Sequence, residues 1–178
     1  MAFCGPCAIF PIMTLTIRPA TWSDLAAVDR LLADSYSRLL AADYAPSVLV
    51  TALPIIARAQ PELVTSGRYF LALKAGQVLG AGGWSMGAPG GGAASTGAGH
   101  IRHVVTDWRH QRQGIGGALM GAVLADARNA GVAQMECLST LTAERFYASL
   151  GFVAQARVTV PLRPGIDFPA VAMSMVFT

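Results

Sequence analysis

The 178-residue chain has few charged side chains and only one lysine, Lys74. Aspartate, glutamate, lysine and arginine make up 13% of it, whereas soluble proteins contain about a quarter. Thirteen basic against ten acidic residues give a formal net charge of +3, and the arginines are scattered along the sequence. The composition therefore predicts no nucleic-acid partner, and its mild positive balance suits a small anionic ligand.

Long apolar runs are also missing, although 53% of the residues are hydrophobic. The longest smooth run covers residues 114–125, which is too short to cross a bilayer and has helical spacing. A chain of this length and apolar content forms one globular domain with a substantial core. We therefore expect a single folded domain with no membrane association.

Cysteine occurs three times, as Cys4, Cys7 and Cys137, so no disulfide framework is predicted and a cytoplasmic location is expected. Cys4-Gly5-Pro6-Cys7 matches a thioredoxin-type redox motif. That chemistry needs a strand ahead of the first cysteine, and only three residues precede Cys4. Residues 1–12 lack the features of a signal peptide. We predict that they are a disordered extension or a misread start, and that the domain covers 13–178.

The order of strand-like and helix-like segments predicts a mixed α/β fold. Strands are predicted over 14–18, 69–74, 78–85, 100–106, 133–138, 153–160 and 170–177. Helices are predicted over 23–33, from 46 with interruptions near Pro54 and Pro61, over 114–129, and over 142–150. The glycine-rich segment 87–99 is predicted to be a flexible loop or a substrate lid, and "PLRPGIDFP", 161–169, a rigid loop.

The segment "QRQGIGGAL", residues 111–119, lies where a predicted strand leads into a helix. A P-loop would need a lysine directly after its last glycine, and Lys74 lies far upstream. A dinucleotide fingerprint would need a third glycine where Leu119 stands, and the repeated βαβ units are missing. Neither of these nucleotide-binding motifs is therefore present.

The remaining interpretation is a cradle for a pyrophosphate group. A helix N-terminus offers unpaired N–H groups and the positive end of a dipole, which together bind an anion. Gly114 and Gly116 keep Cβ atoms away from the ligand. Arg109 and Arg112 either bind phosphate through charge-assisted hydrogen bonds or are solvated surface residues. An alternative is that the glycines only let the helix pack tightly on a sheet.

Two segments resemble the GNAT superfamily of acyl-CoA-dependent N-acyltransferases. Residues 111–116 fit its motif Gln/Arg-x-x-Gly-x-Gly/Ala, and "FYASLGF", 146–152, is similar to its Phe-Tyr-x-x-Leu-Gly-Phe segment. The resemblance covers 101–152 well and the first half only in the order of elements. It implies a central mixed, mostly antiparallel sheet, splayed at its central strands and flanked by helices. It also implies acetyl-CoA, or coenzyme A, as co-substrate, and no metal.

The chain departs from that family at three places. Thr140 stands where the family often has an asparagine that contacts the coenzyme. Trp108 replaces a proline that is common in the strand-to-helix loop. Residues 99–102 carry no carboxylate, although many members have a glutamate there that acts as the base.

The resemblance implies that an acetyl group passes from acetyl-CoA to a primary amine by direct attack through a tetrahedral intermediate. Tyr147 is the candidate that protonates the coenzyme thiolate; the alternative is an ordinary core tyrosine. His103 is the candidate base, and a chain of waters is the alternative. A backbone N–H near Val104 or Val105 is expected to stabilise the oxyanion. The expected coenzyme-binding residues are Val104, Val105, Thr106, Gln111, Arg112, Gln113, Gly114, Ile115, Gly116, Gly117, Thr140, Phe146 and Tyr147.

The sequence does not identify the amine acceptor, which is expected to be a small molecule or a peptide. Its pocket is expected between the early helices, 87–99 and 161–169. Candidate wall and charge-bearing residues are Tyr36, Tyr44, Trp84, Asp43 and Asp167. Cys137 is interpreted as a buried core residue, with a covalent acyl carrier as the alternative. A homodimer is possible, and a non-catalytic acyl-CoA sensor of the same fold is the rival function.

Overall fold

A computed structural model describes residues 14–87 and 97–177. The predictions for 1–12, and for most of the glycine-rich segment 87–99, concern residues outside these ranges. The described strands are β1 Thr16–Pro19, β2 Tyr69–Lys74, β3 Gln77–Ser85, β4 Ala98–Thr106, β5 Gln134–Ser139, β6 Val153–Arg163 and β7 Ile166–Val176. The described helices are α1 Leu25–Leu39, α2 Pro46–Ile56, α3 Pro61–Val64, α4 Ile115–Asn129 and α5 Glu144–Ser149.

All seven of these strands form one sheet in the order β1-β2-β3-β4-β5-β7-β6. Only β4 and β5 run parallel, and every other neighbouring pair is antiparallel. The parallel ladder joins Ala98–His100 to Gln134–Glu136 and then stops, so the two strands diverge beyond this point. The predicted fold, a mostly antiparallel sheet that splays at its centre, is confirmed.

Helices cover both faces of the sheet because its strands bury apolar side chains on both. On one face, α4 packs through Leu119, Met120 and Val123 against side chains that include Trp84. On the other face, α1 packs through residues such as Leu32, beside α3. None of the helices in the described ranges has both the length and the apolar content needed to cross a membrane.

Two helix boundaries differ from the sequence prediction. Helix α1 continues to Leu39, six residues past the predicted end, because Tyr36 and Leu39 extend the apolar side that packs on the core. Pro54 lies inside α2 and does not interrupt it. A proline removes the hydrogen bond to the carbonyl four residues earlier, and that residue, Val50, is exposed to solvent.

The segment 161–169 was predicted to be a rigid loop, and that prediction is wrong. Strands β6 and β7 continue through it and turn at Pro164-Gly165, with Gly165 at a φ of +77°. Pro161 lies on the edge strand β6, and Pro169 lies beyond Val171, where pairing with β5 ends. Neither proline therefore stands at a position where the sheet needs a backbone N–H donor.

Candidate active site

The divergence of β4 and β5 opens a cleft of about 700 Å³. Helix α1, the N-terminus of α4, and α5 with the turn before it form its remaining walls. Except for Gln113, all the residues expected to act in catalysis or to bind the coenzyme line it. Those that do are His103, Val104, Val105, Thr106, Gln111, Arg112, Gly114, Ile115, Gly116, Gly117, Thr140, Phe146 and Tyr147.

Helix α4 begins in the cleft without a side-chain cap. Gly114 occupies the N-cap position in the left-handed conformation, with a φ of +77°, and Arg112 just before it has a φ of +60°. Glycine adopts this conformation without strain, and no atom lies within 4 Å of the place where a Cβ on Gly114 would stand. Within the described ranges, no side chain caps the first N–H groups of α4, and a helix N-terminus of this kind can bind an anion.

The two glycines that follow Ile115 have different surroundings. A Cβ on Gly116 would lie 3.2 Å from both Cε2 and Cζ of Phe146, whereas nothing lies within 4 Å of one on Gly117. Gly116 thus allows α4 to pack closely against α5. Gly114 therefore supplies the left-handed N-cap of α4, and Gly116 serves the helix packing that was the alternative interpretation of the glycines.

A β-bulge interrupts β4 next to the cleft. Ala81 pairs with Val105 and Gly83 pairs with Arg102, so β4 has one residue more than β3 across this interval. His103 within the bulge has a φ of +46°. The buried Tyr69 of β2 donates a hydrogen bond from its hydroxyl to the carbonyl oxygen of His103 at 3.0 Å. Bulges of this kind re-aim the residues beside an active site.

The imidazole of His103 lines the cleft and is largely surrounded by protein. Gln60 Nε2 lies 3.3 Å from His103 Nε2, while His103 Nδ1 is shielded and has no hydrogen-bond partner in the described part of the chain. Burial, together with the positive charge of Arg102, lowers the pKa of His103 to about 4. At neutral pH the ring is therefore uncharged.

Tyr147 projects from α5 into the buried end of the cleft. Its ring packs edge to face against Phe146 and Phe152, with centroids 5.3 and 5.5 Å apart. Burial raises the pKa of Tyr147 well above its usual value, so its hydroxyl stays protonated at neutral pH. The structure brings this phenol to the same cleft as the start of α4.

Cys137 of β5 lines the same cleft and is buried. Burial raises the pKa of its thiol to about 12. The thiolate is the nucleophilic form of cysteine, so this environment suits a core residue better than an acyl carrier.

Thr140 also lines the cleft, where its hydroxyl oxygen accepts a hydrogen bond from the N–H of Ala143 at 3.3 Å and caps the turn that leads into α5.

The other two histidines lie apart from His103. His110 lines the cleft, with Nδ1 3.8 Å from Asp107 Oδ2. His100 is buried on β4, with Nδ1 3.6 Å from Glu136 Oε2. His100 and Glu136 do not line the cleft. Across the described ranges, no three His, Cys, Asp or Glu side chains are grouped so that they could hold a metal ion.

Of the aromatic residues predicted to form the acceptor pocket, only Tyr36 lines the cleft. Tyr44 is a structural residue: its hydroxyl donates to the Pro169 carbonyl at 2.9 Å and accepts from the Leu141 N–H at 2.8 Å. Trp84 is buried in the core, where its indole N–H donates to Asp126 Oδ2 at 2.7 Å. Gln60 was not predicted to belong to the site, because its contact with His103 arises only from tertiary packing.

One family model matches the chain over most of its length. The model describes a GNAT acetyltransferase domain and covers residues 40–175, a range that contains β4, α4, α5 and the cleft between them. No sequence among the curated proteins matches the chain.

Solved structures share the fold at low sequence identity. The PaiA N-acetyltransferase of Thermoplasma acidophilum, in complex with coenzyme A, is 12% identical with a TM-score of 0.70, over 93% of this chain and 100% of that one. A GCN5-related N-acetyltransferase from Rhodopseudomonas palustris is 19% identical with a TM-score of 0.72, over 94% and 99%. The ribosomal-protein-S18-alanine N-acetyltransferase of Escherichia coli is 18% identical with a TM-score of 0.62, over 93% and 95%.

Proposed function

The chain belongs to the GNAT acetyltransferase family, and from this premise we propose that it transfers an acetyl group from acetyl-CoA to a primary amine. The observation that carries the proposal is the cleft itself. It connects the uncapped N-terminus of α4 to the hydroxyl-bearing Tyr147 along a strand whose cleft-facing edge has no neighbour.

The coenzyme fits this cleft in one direction. Its pyrophosphate is held by the first N–H groups of α4, and Arg112 and Arg145, which also line the cleft, supply positive charge. Its pantetheine arm runs beside Val104, Val105 and Thr106, where β4 has lost its pairing with β5. Main-chain groups there form hydrogen bonds with the amides of the arm. The structurally similar protein from Thermoplasma acidophilum is in complex with coenzyme A, which supports the choice of this ligand.

The reaction follows from the groups around the inner end of the cleft. The amine nitrogen attacks the thioester carbonyl, a C–N bond forms, and the electron pair moves onto oxygen. A backbone N–H of Val104 or Val105 stabilises that oxyanion. The Tyr147 hydroxyl is protonated at neutral pH, because burial raises its pKa. When the C–S bond breaks, the carbonyl re-forms and the coenzyme sulfur leaves as a thiolate that takes this proton. The resulting tyrosinate regains a proton from water.

The amine must also lose a proton, and His103 was the sequence candidate for accepting it. A base works best when its pKa lies near the working pH, and the pKa of His103 is lowered to about 4. We therefore propose that the proton passes to water, which was the alternative left open by the sequence. A free-amine form of the acceptor, favoured by mildly alkaline pH, is then the reactive species.

The proposal is tested first by thermal unfolding with acetyl-CoA, using NAD and ATP as controls. A ligand at about a hundred times its Kd adds roughly 2.7 kcal/mol of stability, which shifts the Tm of a domain of this size by several degrees. Selective stabilisation by acetyl-CoA is the expected result, and no shift at saturation would contradict the cradle.

Turnover is tested by the release of free thiol from acetyl-CoA in the presence of a panel of amines. The panel contains free amino acids, polyamines, aromatic amines and peptides with free N-termini. Release that depends on one class of amine identifies the acceptor. Binding of acetyl-CoA without release for any amine would favour the rival function, an acyl-CoA sensor.

A further inference from the structure

Four side chains behind the bulge of β4 form a continuous hydrogen-bonded chain. Arg102 donates from one terminal nitrogen to Ser85 Oγ at 3.0 Å and from the other to Gln60 Oε1 at 3.0 Å. Gln60 in turn places its Nε2 3.3 Å from His103 Nε2. These hydrogen bonds therefore link the end of β3, the segment before α3 and the cleft.

The chemistry of Arg102 fixes the direction of these hydrogen bonds. A guanidinium group donates and does not accept, so the Gln60 atom that faces it is the carbonyl oxygen. The NH₂ group of Gln60 consequently faces His103, and because an amide NH₂ also only donates, His103 Nε2 accepts. In a neutral imidazole whose Nε2 accepts, the proton is on Nδ1.

No carboxylate opposes this arrangement. Within the described ranges no carboxylate oxygen lies within 4 Å of a His103 ring nitrogen, and segments 1–13 and 88–96 and residue 178 contain no Asp or Glu side chain. Arg102 is the charged side chain that acts on His103, and it favours the neutral ring. The other titratable groups in the described ranges that touch His103 or line its cleft also include no carboxylate. They are the side chains of Tyr69, Tyr36, Tyr147, Cys137, His110, Arg112 and Arg145.

A shielded N–H without a partner is costly, and a ligand atom that accepts a hydrogen bond removes that cost. Nδ1 of His103 is such a group, and its ring lines the cleft. We propose that Arg102 and Gln60 hold His103 as its Nδ1–H tautomer, and that this N–H donates a hydrogen bond to bound substrate instead of removing the proton from the amine. The recipient is the thioester carbonyl oxygen, because the lone pair of the amine is needed to form the C–N bond. The tautomer stands on the contacts in the protein, whereas the recipient rests on the proposed function.

The tautomer is tested by long-range ¹H–¹⁵N correlation NMR on the ¹⁵N-labelled full chain at neutral pH. His103 is assigned by the loss of its signals in His103→Asn. We expect a protonated Nδ1 and an unprotonated Nε2. The opposite pattern would overturn the proposal, whether or not the protein transfers acetyl groups.

The positioning role of Gln60 is tested with Gln60→Glu. A carboxylate only accepts, so the proton of His103 should move to Nε2, and a nearby negative charge should raise the pKa of the ring. Gln77→Glu, an exposed substitution at the start of β3, is the matched control and should leave the spectrum of His103 unchanged. An unchanged spectrum in Gln60→Glu would overturn the positioning role.

The recipient is identified by adding acetyl-CoA, coenzyme A and an accepted amine separately. A shift of the Nδ1 proton with acetyl-CoA but not with coenzyme A is expected, whereas a shift that requires the amine would contradict the thioester carbonyl as recipient. No shift with any of them would refute the donor role. This result is distinguishable from failure of the proposed function, in which acetyl-CoA would not bind at all.

A pair of substitutions separates donor from base. Asparagine places an amide near the position of Nδ1 and glutamine near that of Nε2, while neither can act as a base. Both variants should fall below wild type in kcat/KM for thiol release, with His103→Gln about tenfold below His103→Asn, the value of one hydrogen bond. Equal losses would contradict the donor role. Tm values are compared alongside, because asparagine tolerates the positive φ at this position better than glutamine.

Discussion

Gly116 and Gly117 are neighbours on the first turn of α4, yet an added Cβ would contact another side chain only at Gly116. This difference allows a direct test of which glycine serves packing. Gly117→Ala should stabilise the protein by about 0.5–1 kcal/mol, because alanine is the better helix former and its Cβ meets nothing. Urea unfolding of both variants measures the effect.

Gly116→Ala should lack that gain and weaken coenzyme binding. Its Cβ would press on the ring of Phe146 at 3.2 Å, and Phe146 lines the cleft. We expect a lower free energy of unfolding than in Gly117→Ala and a higher Kd for acetyl-CoA by calorimetry. Equal behaviour of the two variants would mean that the contact with α5 is of no importance.

The hydroxyl of Tyr147 is the atom on which the acid role depends. Tyr147→Phe keeps the ring and its packing against Phe146 and Phe152, so the Tm and the Kd for acetyl-CoA should change little. Turnover should fall by about 10²–10³-fold, as expected for loss of a general acid. Thiol release measured over a range of pH checks this, and full turnover at every pH would show that another group protonates the thiolate.

At the scale of elements, the bulge of β4 depends on a tyrosine from another strand. Tyr69→Phe leaves the buried carbonyl of His103 without its donor, which should cost about 1–3 kcal/mol of stability. Urea unfolding measures this loss. Tyr147→Phe is the matched control, because it removes the hydroxyl of a cleft-lining tyrosine for which the described ranges show no hydrogen-bond partner. If both variants were equally stable, Tyr69 would not be what holds the bulge.

The elements that local patterns specify were predicted well. The hairpin of β2 and β3 follows from two largely apolar segments around the turn at Ala75-Gly76, and the start of α4 follows from the 111–116 motif. The position of the bulge at His103 was not predictable from local patterns, because it depends on pairing with β3 and on a hydroxyl 34 positions away in sequence. Strands β6 and β7 were predicted in part, but their continuation through 161–169 was missed, because the prolines there are tolerated only at particular positions of the sheet.

The same limit applies to the candidate site. The part of the cleft proposed to face the coenzyme could be predicted from motifs, because the turn before α4 and the aromatic segment of α5 are each continuous in sequence. The contacts of His103 could not, because Gln60 and Arg102 come from separate elements and meet only after folding. Sequence motifs therefore carry more information about the first part than about the second.

At the scale of the whole molecule, stability should depend on pH through a pair at the N-terminal end of the fold. Asp24 accepts two hydrogen bonds from Arg18 at 2.8 Å each, and these, with bonds from Thr21, hold the pKa of Asp24 well below its usual value of 3.8. A lowered folded-state pKa contributes stability above the unfolded value and loses it as pH falls through the folded one.

Asp24→Asn should therefore cost about 1.5–3 kcal/mol at pH 7, and the difference from wild type should shrink below about pH 3.8. Urea unfolding at pH 7, 5 and 3 measures the trend. Asp34→Asn, an exposed change on α1, is the control and should cost little at any pH. A difference that stayed constant down to pH 3 would mean that packing, not charge, explains the loss.

The short ladder between β4 and β5 determines where the sheet should open locally. Its three residue pairs are the only strand pairing, within the described ranges, between the half made of β1 to β4 and the half made of β5 to β7. Local opening should begin at this seam, so the amides of β4 beyond Ile101 should exchange with deuterium early. Bound coenzyme should slow that exchange on both sides of the seam. The co-substrate would then act as a temporary eighth strand that closes the sheet while the reaction proceeds.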